Sequence, residues 1–74
     1  MTKFQKLIER IWVWEINDSL YDINSASYRE IEGYLQGDHY WDCTQDSYPC
    51  LRCIAEHVFY RAKEIARICG IPEV

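Results

Sequence analysis

Three cysteines and two histidines lie close together in the middle of this sequence, and they are its side chains best suited to chemistry. Cys43, Cys50, Cys53 and His57 fall within fifteen residues, and His39 lies just ahead of them. Thiolate sulfur and imidazole nitrogen are ligands that zinc prefers in proteins, usually four together in a tetrahedron. The cluster therefore makes a zinc site one candidate for the chemistry of this chain.

The spacing limits which of these side chains can share one ion. Cys50, Cys53 and His57 lie along one side of a predicted helix. Cys50 and His57 are nevertheless about 10 Å apart along its axis, because each residue of a helix rises about 1.5 Å. One straight helix cannot supply four ligands, so at least one must come from outside it. The candidate ligands are Cys43, Cys50, Cys53 and His57, with His39 as the alternative histidine.

Simple burial is the competing explanation for these cysteines. Free cysteine is among the most buried residue types and packs like a small hydrophobic side chain, so we expect Cys69 and at least one other cysteine in the core. Zinc domains commonly carry a second ligand pair about 12 to 20 residues away, and the sequence has none. Cys50 and Cys53 lack the strand-helix-strand context of thiol redox proteins. A core this small also leaves little room for a substrate pocket, so we expect no enzyme and no organic cofactor.

Length and composition favour one small folded domain over residues 1–74. The chain has 74 residues, of which 49% are hydrophobic and 15% aromatic, too apolar a composition for a disordered protein. A domain of this size buries only about 60% of the surface of its unfolded chain, so its margin of stability is thin. Such domains often recruit a metal, disulfides or a partner subunit.

The apolar periodicity predicts three helices. The first covers 3–17, the second 28–36, and the third runs from a cap at Ser47 to Cys69. This predicts an all-α fold, a small three-helix domain with a long second connection. Because 11–16 is rich in β-forming residues, the alternative is an α+β fold with a strand there.

Short-range signals mark the ends of these helices. Thr2 with Gln5, and Ser27 with Glu30, have the spacing of capping boxes. Gly37 is predicted to stop the second helix in a left-handed conformation. Pro49 suits the first turn of the third helix, where its missing N–H is not needed. Gly70 and Pro72 would end that helix.

The helical spacing also predicts which faces are buried. In the first helix Trp12, Val13 and Ile16 point away from the main apolar stripe. They are therefore either covered by the rest of the fold or available to a partner, including a second copy of the chain. The predicted core comprises Phe4, Leu7, Ile8, Ile11 and Trp14 in the first helix, Tyr28, Ile31, Tyr34 and Leu35 in the second, and Leu51, Ile54, Ala55, Val58, Ala62, Ile65 and Cys69 in the third.

The acidic residues are concentrated in one stretch. The net charge of the chain is −4, but residues 15–46 hold eight acids against Arg29, a charge of −7. Phosphate backbones are repelled by such a stretch, so we expect no nucleic acid partner. The outer face of the third helix carries Arg52, Lys63 and Arg67, yet the connection before it is too long for a helix-turn-helix. A basic protein surface is the expected partner, and plain solubility is the competing explanation.

Aromatic side chains are interleaved with these acids. The chain has six tyrosines and three tryptophans, more than a thin core easily buries. Tyrosine and tryptophan dominate the binding energy of many protein interfaces, which favours a non-enzymatic inhibitor or adaptor. The competing explanation is that these rings cap the ends of the core. The predicted contact residues are Tyr34, Asp38, Tyr40, Trp41, Asp42 and Asp46.

A short, acidic, aromatic, single-domain chain of this kind is similar in composition to small phage-encoded inhibitors, including anti-CRISPR proteins. That resemblance implies a role in blocking a nucleic-acid-binding protein. The longest apolar run, 11–14, is too short to span a bilayer, and no leader pattern follows Met1. We therefore expect a cytosolic protein with reduced thiols.

Overall fold

Three helices form the part of the chain that the computed structural model describes. Helix α1 spans Lys3–Ile16, α2 spans Tyr28–Gln36 and α3 spans Leu51–Cys69. The described residues are 1–16, 25–39, 43 and 49–73.

The predicted all-α architecture is confirmed, with 37–50 as a long second connection. No strand occurs among the described residues. The alternative strand near 11–16 is wrong, because these residues continue α1 without a break. The amphipathic period of the whole segment outweighs the β propensity of its last turn, since propensity is a weak guide where packing is strong. None of the described helices is long and apolar enough to cross a membrane.

Both predicted capping pairs are present. Thr2 and Gln5 form a reciprocal box: the N–H of Gln5 donates to Thr2 Oγ1 at 3.1 Å, and the N–H of Thr2 donates to Gln5 Oε1 at 3.0 Å. Ser27 Oγ accepts from the N–H of Glu30 at 3.3 Å. These bonds satisfy backbone donors that the first turn of a helix leaves without partners.

Two other predicted helix ends are wrong. Gly37 has extended backbone with φ −83°, and its N–H donates to the carbonyls of Gly33 and Tyr34, so no left-handed residue is needed there. Helix α3 begins at Leu51 with Cys50 as its N-cap, so Pro49 precedes the helix. The predicted stop at Gly70 is confirmed, with φ 73° in the left-handed region.

Contacts between the helices fix their relative directions. Glu9 and Trp12 of α1 contact Tyr28 and Tyr34 of α2 in the same order along both helices, so α1 and α2 run parallel. Helix α3 runs antiparallel to α2, because Phe59 contacts Tyr28 at the start of α2 whereas Arg52, earlier in α3, contacts Gly37 after its end. It is therefore antiparallel to α1 as well. Its early residue Arg52 reaches Gly37 after the end of α2, and His57 reaches the last turn of α1 at Glu15. The start of α3 therefore lies beside the ends of the other two helices.

The core lies between the three helices and centres on Trp12. This ring is fully buried and stacks on Tyr34 with centroids 5.6 Å apart and planes 15° apart. Burying so large an aromatic ring supplies much of the stability of a thin core. The buried hydrophobic residues of the cluster are Phe4, Ile8, Ile11, Trp12, Ile16, Ile31, Leu51, Ile54, Ala55, Val58, Ala62 and Ala66.

Several predicted faces need correction. Trp14 is 62% exposed, whereas Trp12 and Ile16 are buried, so the core side of α1 is rotated toward Trp12. Trp12 and Ile16 are covered by the rest of the fold and are not available to a second copy of the chain. Cys69 is exposed, and Ala66 takes its place in the core. Trp12 and Ile16 are buried because α2 and α3 both pack on α1 and cover a wide arc of its surface.

Candidate metal centre

Four side chains converge where the second connection meets α3. His39 and Cys43 come from the connection, Cys50 is the N-cap of α3, and Cys53 lies in its first turn. One ligand atom from each residue can be chosen so that all four lie within 4.8 Å of one another. Such a group has the size of a single ion's coordination shell.

Three of the six ligand separations match the edges of a zinc tetrahedron. His39 Nδ1 lies 3.3 Å from the sulfur of Cys50 and 3.3 Å from that of Cys53. The two sulfurs are 3.8 Å apart. With Zn–S bonds of about 2.3 Å and Zn–N bonds of about 2.0 Å, a regular tetrahedron has S–S edges of about 3.8 Å and S–N edges of about 3.5 Å. These three separations therefore suit zinc with only small adjustments, and the sulfur of Cys43 lies within 4.8 Å of the other three ligand atoms.

The start of α3 explains why two of the sulfurs meet. Cys50 has extended backbone with φ −76° and ψ 173°, and its carbonyl accepts the N–H of Ile54 at 3.0 Å. Its thiol makes no capping bond to the helix. Cys53 follows three residues later, and residues at this spacing lie on the same side of a helix. Both sulfurs thus face the connection that carries His39 and Cys43.

Exposure changes across the site. Cys50 is fully buried, Cys43 and Cys53 are half-buried, and His39 is exposed. One side of the group is therefore shielded by the core, and the histidine side faces solvent. A metal ion could enter from that side and still be held in a partly apolar setting.

The setting of Cys53 shifts the ionisation of its thiol. Burial raises the pKa of the Cys53 thiol to about 12, and its hydrogen bonds to Cys43 and Cys50 act in the same direction. A bound dication reverses this effect, because a coordinating thiol is deprotonated outright. The site therefore binds protons when it is empty and would release them to a metal.

His57 lies apart from this group. Its Nε2 is 3.4 Å from Glu15 Oε2 of α1, and its side chain is 52% exposed. The helix carries His57 about a turn beyond Cys53. The predicted cysteines are thus brought together, and the histidine that joins them is the alternative, His39. The sequence signal that favours His39 is its position three residues after the end of α2, since a residue there can fold back toward α3.

The predicted partner-binding residues are placed only in part. Asp38 is exposed, next to His39. Tyr34 is half-buried and stacks on Trp12, so one face of its ring belongs to the core. The acidic docking surface stays a prediction, because its other residues, Tyr40, Trp41, Asp42 and Asp46, lie outside the described residues.

No protein-family model, curated protein or solved structure matches this chain.

Proposed function

We propose that this chain is a small zinc-binding domain in which His39, Cys43, Cys50 and Cys53 hold one ion. The observation that carries the proposal is that the separations among His39, Cys50 and Cys53 agree with the edges of a zinc tetrahedron, with Cys43 within 4.8 Å of them. Three sulfur ligands and one imidazole form a soft donor set. Calcium and magnesium prefer oxygen ligands, which this group lacks.

The proposed role of the ion is structural. Four protein ligands complete the tetrahedral shell and leave no open position for a substrate or a reactive water. Zinc enzymes, in contrast, use three protein ligands and keep the fourth position open. A closed shell here would fasten the connection, through His39 and Cys43, onto the start of α3.

Such a fastening suits the small size of the domain. The chain of 74 residues has a thin core, and metal binding adds directly to the free energy of folding when the unfolded chain has no formed site. The ion would also join the end of α2 to the beginning of α3 through His39, a short distance after Gln36. We propose regulation or partner binding through the fastened connection as the biological use of the domain.

Two cysteine substitutions distinguish this proposal from simple burial. Cys53→Ser removes one ligand, whereas the matched control Cys69→Ser changes an exposed cysteine outside the group. We expect zinc to raise the melting temperature of the wild type and of Cys69→Ser, and to leave Cys53→Ser nearly unchanged. Thermal unfolding followed by circular dichroism, with and without added zinc, measures this. An equal response to zinc in the two variants would contradict the proposal.

A further inference from the structure

We propose that Arg52 is a positioning residue of the metal site. It sets the affinity for zinc by fixing the backbone at Gly37, two residues before His39. This inference rests on the proposed zinc-binding function. It assigns a role to a side chain that is not itself a ligand.

The guanidinium of Arg52 joins the second connection to α3. Its Nη1 donates to the carbonyl of Gly37 at 3.0 Å. Its Nη2 lies 3.1 Å from Glu56 Oε1, one turn further along α3. Arg52 Nε is buried without a hydrogen-bond partner among the described residues, so the two terminal nitrogens make the contacts. The ion pair with Glu56 holds the guanidinium in the orientation that reaches Gly37.

Gly37 is held from its other side as well. Its N–H donates to the carbonyls of Gly33 at 3.1 Å and Tyr34 at 3.3 Å, which closes the end of α2. The chain is therefore anchored both to α2 and to α3 at this residue. Only Asp38 separates Gly37 from His39. Two residues of chain leave few conformations, so anchoring Gly37 keeps the imidazole near the two sulfurs.

Anchoring Gly37 lowers the conformational entropy that His39 loses when it binds the metal. Without the anchor, part of the metal's binding free energy is spent on ordering 37–39, because fixing backbone and side chain costs entropy. Groups that hydrogen-bond directly to metal ligands typically change metal affinity by about 10-fold to 100-fold when they are replaced. Arg52 acts one step further out, through the carbonyl of Gly37. For a partly exposed arginine we expect the lower end of that range.

The chemistry of arginine matters at this position. A lysine could donate to the Gly37 carbonyl but offers a single nitrogen, so it could not also hold Glu56 with the same fixed fork. Arg52→Lys should therefore keep part of the effect, and Arg52→Ala should lose it. A role limited to general stability would weaken zinc binding equally with and without the imidazole of His39, so the dependence on His39 separates the two roles.

The test is a double-mutant cycle on zinc affinity. We would measure dissociation constants by competition with a chromogenic chelator for the wild type, Arg52→Ala, His39→Ala and the double variant. We expect Arg52→Ala to weaken binding about 10-fold and Arg52→Lys to weaken it less. In the His39→Ala background, Arg52→Ala should have almost no further effect, since its action passes through His39.

Arg61→Ala is the matched control, because Arg61 is an exposed arginine on the same helix with no described contact to the connection. We expect it to bind zinc like the wild type. Unchanged affinity in Arg52→Ala, or an equal loss with and without His39, would overturn the inference. A wild-type protein that binds no zinc would overturn the metal site itself, which is a separate result. Arg52→Lys keeps the test valid if Arg52→Ala fails to fold.

Discussion

The thiol of Cys53 is partly buried beside two other sulfurs and an imidazole, and these surroundings raise its pKa. Burial and the neighbouring thiols hold its pKa at about 12, against an ordinary value of 9.0. Without a nearby cation, the Cys53 thiol therefore stays protonated at neutral pH. The arrangement thus favours either protons or a metal ion, and zinc replaces the protons as it binds.

This ionisation predicts a pH dependence for the metal-free protein. The unfolded thiol ionises from about pH 9, while the folded thiol stays protonated until about pH 12. The contribution of Cys53 to stability is therefore complete below about pH 9 and is lost as the pH rises toward 12. Urea unfolding of the reduced, chelator-treated protein at about pH 8 and about pH 10 measures it.

The variant Cys53→Ala is the control for this pH dependence. It retains the tyrosines and lysines that also titrate at high pH, but it lacks the thiol. We expect the wild type to lose more stability than Cys53→Ala over this interval. Equal losses in the two proteins would contradict the assigned cause.

Residue types and spacing predicted that the three cysteines lie together, as the structure shows, but not which histidine joins them. Cys50 and Cys53 lie on the same side of the helix wherever it begins near residue 50, because they are three residues apart. Cys43 precedes the helix and therefore lies in the connection. Choosing between His39 and His57 requires knowing how far α3 carries His57 from the thiols and where α2 ends. Both are facts of tertiary structure, so the sequence left the choice open.

The helices illustrate which local signals are reliable. Capping pairs at Thr2 and Ser27 act within one turn, so their bonds follow from the sequence. Trp12 and Trp14 are different, because a helical stripe does not say how wide an arc the neighbouring helices cover. The contact of Glu9 with α2 was also not predictable, since nineteen positions separate Glu9 from Tyr28.

That contact predicts an effect of Glu9 on the docking of α2. Glu9 Oε2 accepts the N–H of Tyr28 at 2.6 Å, a backbone donor in the first turn that would otherwise lack a partner. A carboxylate bonded to a backbone N–H at a helix start contributes about 1–2 kcal/mol. We expect Glu9→Ala to lower the melting temperature by roughly 4–16 °C, since about 1 kcal/mol corresponds to 4–8 °C in a domain of this size.

Glu73→Ala is the comparison for this substitution. Glu73 is exposed beyond the end of α3, so its replacement should change stability by less than about 0.5 kcal/mol. If Glu9→Ala and Glu73→Ala melt at the same temperature, the contact between Glu9 and Tyr28 does not stabilise the docking of α2.

At the scale of the whole molecule, the metal site lies at the edge of the helical core, where Cys50 is buried and His39 is exposed. The buried residues lie between the helices, whereas His39 and Cys43 belong to the connection outside that core. Helix α3 is antiparallel to α1 and α2, so its start meets the ends of both. An ion at this end would complement the packing around Trp12 and hold His39 and Cys43 against the start of α3.

The most direct test of the zinc-binding account is a native mass spectrum of the purified protein, repeated after treatment with a chelator and for His39→Ala and His57→Ala. The account predicts one zinc per wild-type chain, removed by the chelator. It also predicts full occupancy in His57→Ala and weakened occupancy in His39→Ala. A metal-free wild-type spectrum with four free thiols after zinc has been supplied would contradict it, as would loss of zinc from His57→Ala with retention in His39→Ala.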